Sequence, residues 1–224
     1  MSSADAKRPI SAPDRPKRPR NAETRRRVEE AAAQLFTRDG YMATTMQAIA
    51  NAAGVHVQTI YLAYGTKPAL LGACAVRLVA GDEDPDTPPP DRRWAREVAA
   101  ERDPHAKLVR YVQQIADVAP RITSLIDVLR STAQAEPEVA AFLNGMERAR
   151  REGALQLLGH GVPAGTWQPG LTPDKVADIT FAIASPDTLR ALTIRCGWPA
   201  AQAKTLIVNA LAHELRPGLH RVGR

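Results

Sequence analysis

Aromatic residues are few: three Trp, four Tyr and three Phe in 224 positions. So small a set argues against an aromatic cage for a cationic ligand. Cysteine is scarcer still, with Cys74 and Cys196 far apart and in no ligand-spacing motif. Neither a disulfide framework nor a thiolate metal site is expected. His105, His160, His213 and His220 are scattered, with no two at metal-ligand spacing beside a carboxylate or thiolate. A Gly-rich phosphate loop and a Ser/His/Asp pattern are both missing. Catalysis, a cofactor and a metal are therefore all unexpected. No apolar run approaches the roughly 18 residues of a membrane span, and the polar N-terminus does not read as a secretory signal. A cytoplasmic location follows as the expectation. Alternating strand patterns of useful length are absent too, and there is no internal repeat. The remaining fold class is all-α.

What is present is unevenly placed. Residues 1–67 hold eleven Lys/Arg and six Asp/Glu, a net of +5 out of +6 for the whole chain. A basic end of this kind is the electrostatic footprint of a polyanion-binding region. Residues 1–20 carry Pro9, Pro13, Pro16 and Pro19 among six basic side chains. That composition reads as a disordered arm.

Helical signals then begin. Asn21 is positioned to cap a helix with Val28, Ala31, Ala32, Leu35 and Phe36 on one face, ending before Gly40. Thr44 with Gln47 three residues on has the form of a capping box for a second helix, broken by Gly54. A third short helix is expected over 56–62, and Thr66 is a cap for a fourth. Two short helices that cross closely need a small residue at the contact, which Ala50 supplies. Gly54 then takes the turn and Ile60 points back beside Ile49 and Val55, the spacing of a helix-turn-helix. An ordinary αα-corner in a helical protein shares that spacing, and the basic N-terminus favours the DNA-binding reading.

Beyond this, GDEDPDTPPP at 81–90 is a loop. Helices follow, interrupted near Asp103-Pro104, restarted at Pro120 and again at Pro137, with a Gly/Pro-rich loop over 159–170. Thr172-Pro173, Ser185-Pro186 and Pro199 each open a closing helix.

Residues 22–71 resemble the DNA-binding domain of the TetR family of regulators. The stretches ETRRRVEEAAAQLFTRDGY, ATTMQAIANAAGV and QTIYLAYGTKPALL carry the likeness in order and spacing. The C-terminal SPDTLRALTIRCGWPAAQAKTLIVNALAHEL resembles closing helices of some members less specifically. The resemblance implies an N-terminal helix-turn-helix domain over 21–67 and a helical-bundle ligand-binding and dimerisation domain over 68–224. It further implies a homodimer through the last helices, a double-stranded DNA operator and a small-molecule effector. Matched by position, Thr59, Tyr61 and Lys67 fall where the family contacts phosphates, and Thr44 and Thr45 stand at a helix N-terminus. His56, Val57, Gln58 and Leu62 fall on the outer face of the recognition helix, with Gln58 suited to adenine and Val57 and Leu62 to thymine methyls. His56 replaces the usual Ser cap, and Ala63 replaces a common aromatic or His. Those two departures leave open a helical scaffold with a degenerate helix-turn-helix, and repressor and activator are not separable.

For the effector, Tyr111, Ile115, Leu125, Leu129, Phe142, Met146 and Phe181 are candidate walls, each with a plain core role as the competing reading. Asp127 and Asp178 lie in largely apolar helices and are placed to orient a polar ligand.

Overall fold

The computed structural model describes residues 18–215. They form ten α-helices: α1 Arg18–Asp39, α2 Met46–Ala53, α3 Val57–Tyr64, α4 Lys67–Ala80, α5 Arg93–Ala100, α6 Pro104–Ala133, α7 Pro137–Ala154, α8 Pro173–Ile183, α9 Pro186–Arg190 and α10 Ala200–Ala212. The expected loop between α4 and α5 is present, closed by a short 3-10 turn at Pro89–Asp91. α7 runs on into one wide π turn at Leu155–His160, and a second such turn, Ala191–Arg195, extends α9. The only extended pairing among the described residues is a bridge between Trp167 and Leu215. The all-α expectation holds.

Three local expectations change. α1 begins at Arg18, ahead of Asn21. Pro19 falls in its first turn, where a missing N–H costs nothing. The rest of the arm lies outside the described residues. Thr45 rather than Thr44 caps α2, accepting a hydrogen bond from the Ala48 N–H. Gln47 is therefore out of register for a capping box and donates to Asn51 instead, at 2.9 Å. Pro120 does not restart a helix: α6 passes through it over 30 residues. The ring removes the N–H that the Ala116 carbonyl would have taken. Burial of Val118, Ala119 and Ile122 around the break holds the helix together.

The start signals at Thr66, Thr172 and Ser185 are in use as caps, each accepting from a backbone N–H three residues on, and Asp103, expected only as an interruption, caps α6 in the same way.

Two hydrophobic cores result, and α6 is common to both. The first joins α1–α4 to the C-terminal half of α6 and the start of α7. Phe36, Ile49, Ile60, Leu70, Leu71, Leu125 and Leu129 are fully buried in it. Each such side chain contributes about 1.5–3 kcal/mol of burial. The second gathers α5, the N-terminal half of α6, the end of α7, and α8–α10. At about 1.5 Å per residue α6 extends roughly 45 Å, long enough to tie the two cores together.

Candidate nucleic-acid interface

The α2–α3 corner has the geometry its sequence requires. Ala50 and Ile60 are fully buried, as is Ile49. Gly54 adopts φ 65°, ψ 44°, a left-handed conformation that a β-carbon disfavours. Its N–H and that of Val55 close the end of α2 onto Asn51 and Ala50 carbonyls. α3 is thus fastened by Ile60 on one side and leaves the other side open. Gln58, Thr59, Tyr61 and Leu62 are exposed, Leu62 at 89%. His56 caps α3 by its backbone position only, with no side-chain bond, and its ring is exposed. Val57 is half-buried against the first core.

The remaining predicted contacts divide. Thr45 is exposed at the α2 N-terminus, whereas Thr44 is buried and its hydroxyl donates to the Gly40 carbonyl at 2.8 Å. Thr44 is therefore an internal brace rather than a surface group. Lys67 is half-buried: its Nζ donates to the Tyr41 and Thr44 carbonyls at 2.9 and 3.0 Å and lies 4.1 Å from the Tyr41 ring centre. Two of its three donors are engaged in holding α4 to the α1–α2 connection. Burial pulls its ammonium below the usual lysine range.

Sequence reading missed the group that anchors the far end of α3. Glu29 is 2% exposed. Its carboxylate accepts from the Tyr64 hydroxyl at 3.0 Å and from Arg77 Nε at 2.8 Å. The Cys74 thiol donates to the Glu29 carbonyl. Burial, reinforced by Glu29, pushes both the Tyr64 phenol and the Cys74 thiol well up. Helices α1, α3 and α4 meet at this one carboxylate. The available signal was an acidic residue inside the apolar stripe of α1, three positions before Ala32 and seven before Phe36.

The effector candidates are not gathered at one place. Leu125 and Leu129 are fully buried in the first core, with Phe142 and Met146 packed against it. Phe142 lies on Gly72 of α4, where a β-carbon would come within 3.1 Å of its ring. Tyr111 and Ile115 belong to the second core. Phe181 is half-buried with the Arg150 guanidinium 3.7 Å above its ring. None of the seven lines the open groove of about 430 Å³ between α6 and α10, whose walls include Val109, Val112, Lys204 and Val208. Asp127 and Asp178 are paired at the surface with Arg190 and Arg151. Among the described residues no cluster of His, Cys, Asp or Glu is suited to a metal, and no helix is long and apolar enough to cross a membrane.

Residues 30–74 match the model of the bacterial regulatory proteins of the tetR family. No curated protein matches the sequence. Among solved structures, a protein from Rhodococcus sp. assigned as a TetR-family transcriptional regulator is 16% identical with a TM-score of 0.66, covering 87% of this chain and 99% of its own. The transcriptional regulator FadR from Bacillus subtilis, solved with stearoyl-CoA, is 18% identical with a TM-score of 0.64, covering 84% and 97%. A protein from Saccharomonospora viridis assigned as a transcriptional regulator, solved with choline, is 19% identical with a TM-score of 0.61, covering 87% and 98%. Residues 30–74 thus carry the sequence pattern of the tetR family's model, and the chain has the fold that these solved structures share.

Proposed function

We propose that this chain is a ligand-responsive transcriptional regulator that binds a palindromic operator as a homodimer in the cytoplasm and, as a repressor, is released by a small molecule. In this reading residues 21–67 contact DNA, and 68–224 sense the effector and dimerise. The observation that carries it is the asymmetry of α3. One side is fixed by Ile60 and Tyr64, and the other presents Gln58, Thr59, Tyr61 and Leu62 to solvent. A helix held so firmly with a free face of that chemistry suits major-groove reading. The non-capping His56 favours the alternative of a degenerate scaffold. Against it, the corner keeps every buried contact that positions α3.

One helix-turn-helix spans a half-site, so a specific regulator needs a two-fold partner. α10 leaves Leu206 44% exposed, and across the groove α6 leaves Val109 43% exposed. Of these, α10 is assigned to the dimer, together with α8. Ala210→Arg, at a half-buried position on α10, is expected to give a folded monomer with weak operator binding in sedimentation and footprinting.

The deciding experiment is nuclease protection of flanking palindromes, followed by an operator panel. Gln58→Ala relaxes preference at one base pair per half-site, where a mismatch costs about 1–3 kcal/mol. Tyr61→Phe weakens every operator alike, because a phosphate contact carries no sequence. Absence of any protected site overturns the regulator reading, and a uniform loss in Gln58→Ala overturns the assigned reading face. The fold does not choose the effector: the two neighbours above hold stearoyl-CoA and choline.

A further inference from the structure

Arg150 lies on the inner stripe of α7, four positions before buried Ala154 and seven after buried Leu143. The same spacing that marks Glu29 in α1 marks this residue. Its neighbours among the arginines, Arg130, Arg151 and Arg190, each hold an aspartate of α6, α8 or α9. Arg150 makes no ion pair among the described residues. Nη1 donates to the Phe181 and Ala184 carbonyls at the end of α8, at 2.8 and 3.4 Å, while the guanidinium carbon lies 3.7 Å from the centre of the Phe181 ring. The Nε–Nη2 edge has no hydrogen-bond partner among those residues. That edge is the fork that matches a carboxylate bidentately.

A second orphan faces the same charge. Tyr111 of α6 is 3% exposed, and its hydroxyl has no hydrogen-bond partner among the described residues. It lies close enough to Arg150 for the two to interact electrostatically. Burial pushes its phenol up to about 12, so at neutral pH it is a donor. Both donor groups, on a half-buried Arg150 and a buried Tyr111, are open to an incoming acceptor, and partial burial strengthens any bond made there.

We propose that the point where α6, α7 and α8 meet recognises the carboxylate of an acidic small molecule, with Arg150 and Tyr111 as its anchors. The assignment rests on the effector reading above and names the effector's class. A carboxylate fits better than a phosphate because the charge available is single. Glu147 and Asp187 already act on Arg150, and Asp187 is itself held by Arg130. A dianion would leave one charge uncompensated in a low-dielectric site. The Phe181 ring supports the guanidinium, and the Phe181 and Ala184 carbonyls hold it through Nη1, away from the open edge. Binding therefore acts on the end of α8 and, through Arg130–Asp187, on the tie between α6 and α9.

The test uses the full chain without DNA. Octanoate, decanoate, benzoate and phenylacetate are each compared with the matching neutral amide, and with inorganic phosphate, by thermal shift and calorimetry. At least one carboxylate is expected to bind and raise the Tm, with its amide and phosphate inert. Removing a charge-assisted contact weakens binding by about ten- to a hundred-fold for Arg150→Gln, and losing the hydroxyl by about ten-fold for Tyr111→Phe. Tyr111→Phe deletes a group without a protein partner, so its unliganded Tm does not fall below the parent value and it serves even where Arg150→Gln folds poorly. An anchor role fails if no carboxylate in the panel binds, if an amide binds as tightly as its acid, or if Tyr111→Phe binds like the parent. An operator-binding protein released only by neutral or cationic compounds would keep the regulator reading and sink this one. A carboxylate-binding protein without an operator would do the reverse.

Discussion

The two cores treat their buried polar groups differently. In the first, the Glu29 carboxylate, the Tyr64 hydroxyl, the Cys74 thiol and the Thr44 hydroxyl each have a partner. In the second, Trp94 Nε1 and Thr180 Oγ1 are buried without a hydrogen bond among the described residues. A satisfied polar network rigidifies its surroundings, while a partly satisfied one leaves free energy to be gained by rearrangement or by a ligand. The first core positions α3 and gains from being fixed. The second, with two buried polar atoms unpartnered, has more to gain from rearrangement. α6 belongs to both, and Phe142 on Gly72 joins α7 to α4. A change at the α8 end thus has a packed route toward α1–α4.

The largest effect is expected at Glu29. Glu29→Ala leaves the Arg77 guanidinium, 18% exposed, and the Tyr64 hydroxyl without their acceptor. Breaking a buried pair by removing one partner costs about 3–5 kcal/mol. Urea denaturation followed by circular dichroism reads it directly. A loss below about 1 kcal/mol, the range of a solvent-exposed pair, would show that the first core is no more finished than the second.

Gly54→Ala comes next. The substitution meets open space, with only Arg27 Nη1 at 3.9 Å from the new β-carbon. Its cost is therefore conformational, about 1–2 kcal/mol for forcing an L-residue to φ 65°. The same denaturation measurement applies, and an unchanged midpoint would mean that the corner relaxes without strain.

That corner was the most legible part of the molecule, and the reason is its locality. Ala50, Gly54 and Ile60 act on each other within one turn and two short helices, so their spacing carries the geometry. The Glu29 site was not legible in the same way, because Tyr64 and Arg77 lie 35 and 48 positions away. Periodicity identified Leu125, Leu129, Phe142 and Tyr111 as inward-facing but carried nothing about which core each enters. Adjacent threonines hid the cap of α2, since Thr44 and Thr45 have the same chemistry and only the fold separates brace from cap. Pro120 misled because a proline in a pattern reads as a boundary, whereas burial on both sides outweighs one missing hydrogen bond.

The smallest effect is the sharpest test of the comparison, because one substitution is expected to act with opposite signs in the two cores. Thr→Val preserves shape and removes only the hydroxyl. At Thr44 the hydroxyl is buried and donates to the Gly40 carbonyl at 2.8 Å. Thr44→Val removes that bond and leaves a part-buried carbonyl with one acceptor position unused, at a cost of about 1 kcal/mol. At Thr180 the residue is fully buried in α8 and Oγ1 has no partner, not even the carbonyl one turn back that helical threonines commonly use. Thr180→Val therefore removes a desolvation penalty without breaking a bond, for a gain of about 0.5–1 kcal/mol. Helix propensity does not blur the contrast, since Val and Thr are close on that scale. Parallel denaturation of the two variants measures both signs. A Thr180→Val that loses stability would mean that a bound water satisfies this hydroxyl, and that the second core is complete in the resting protein.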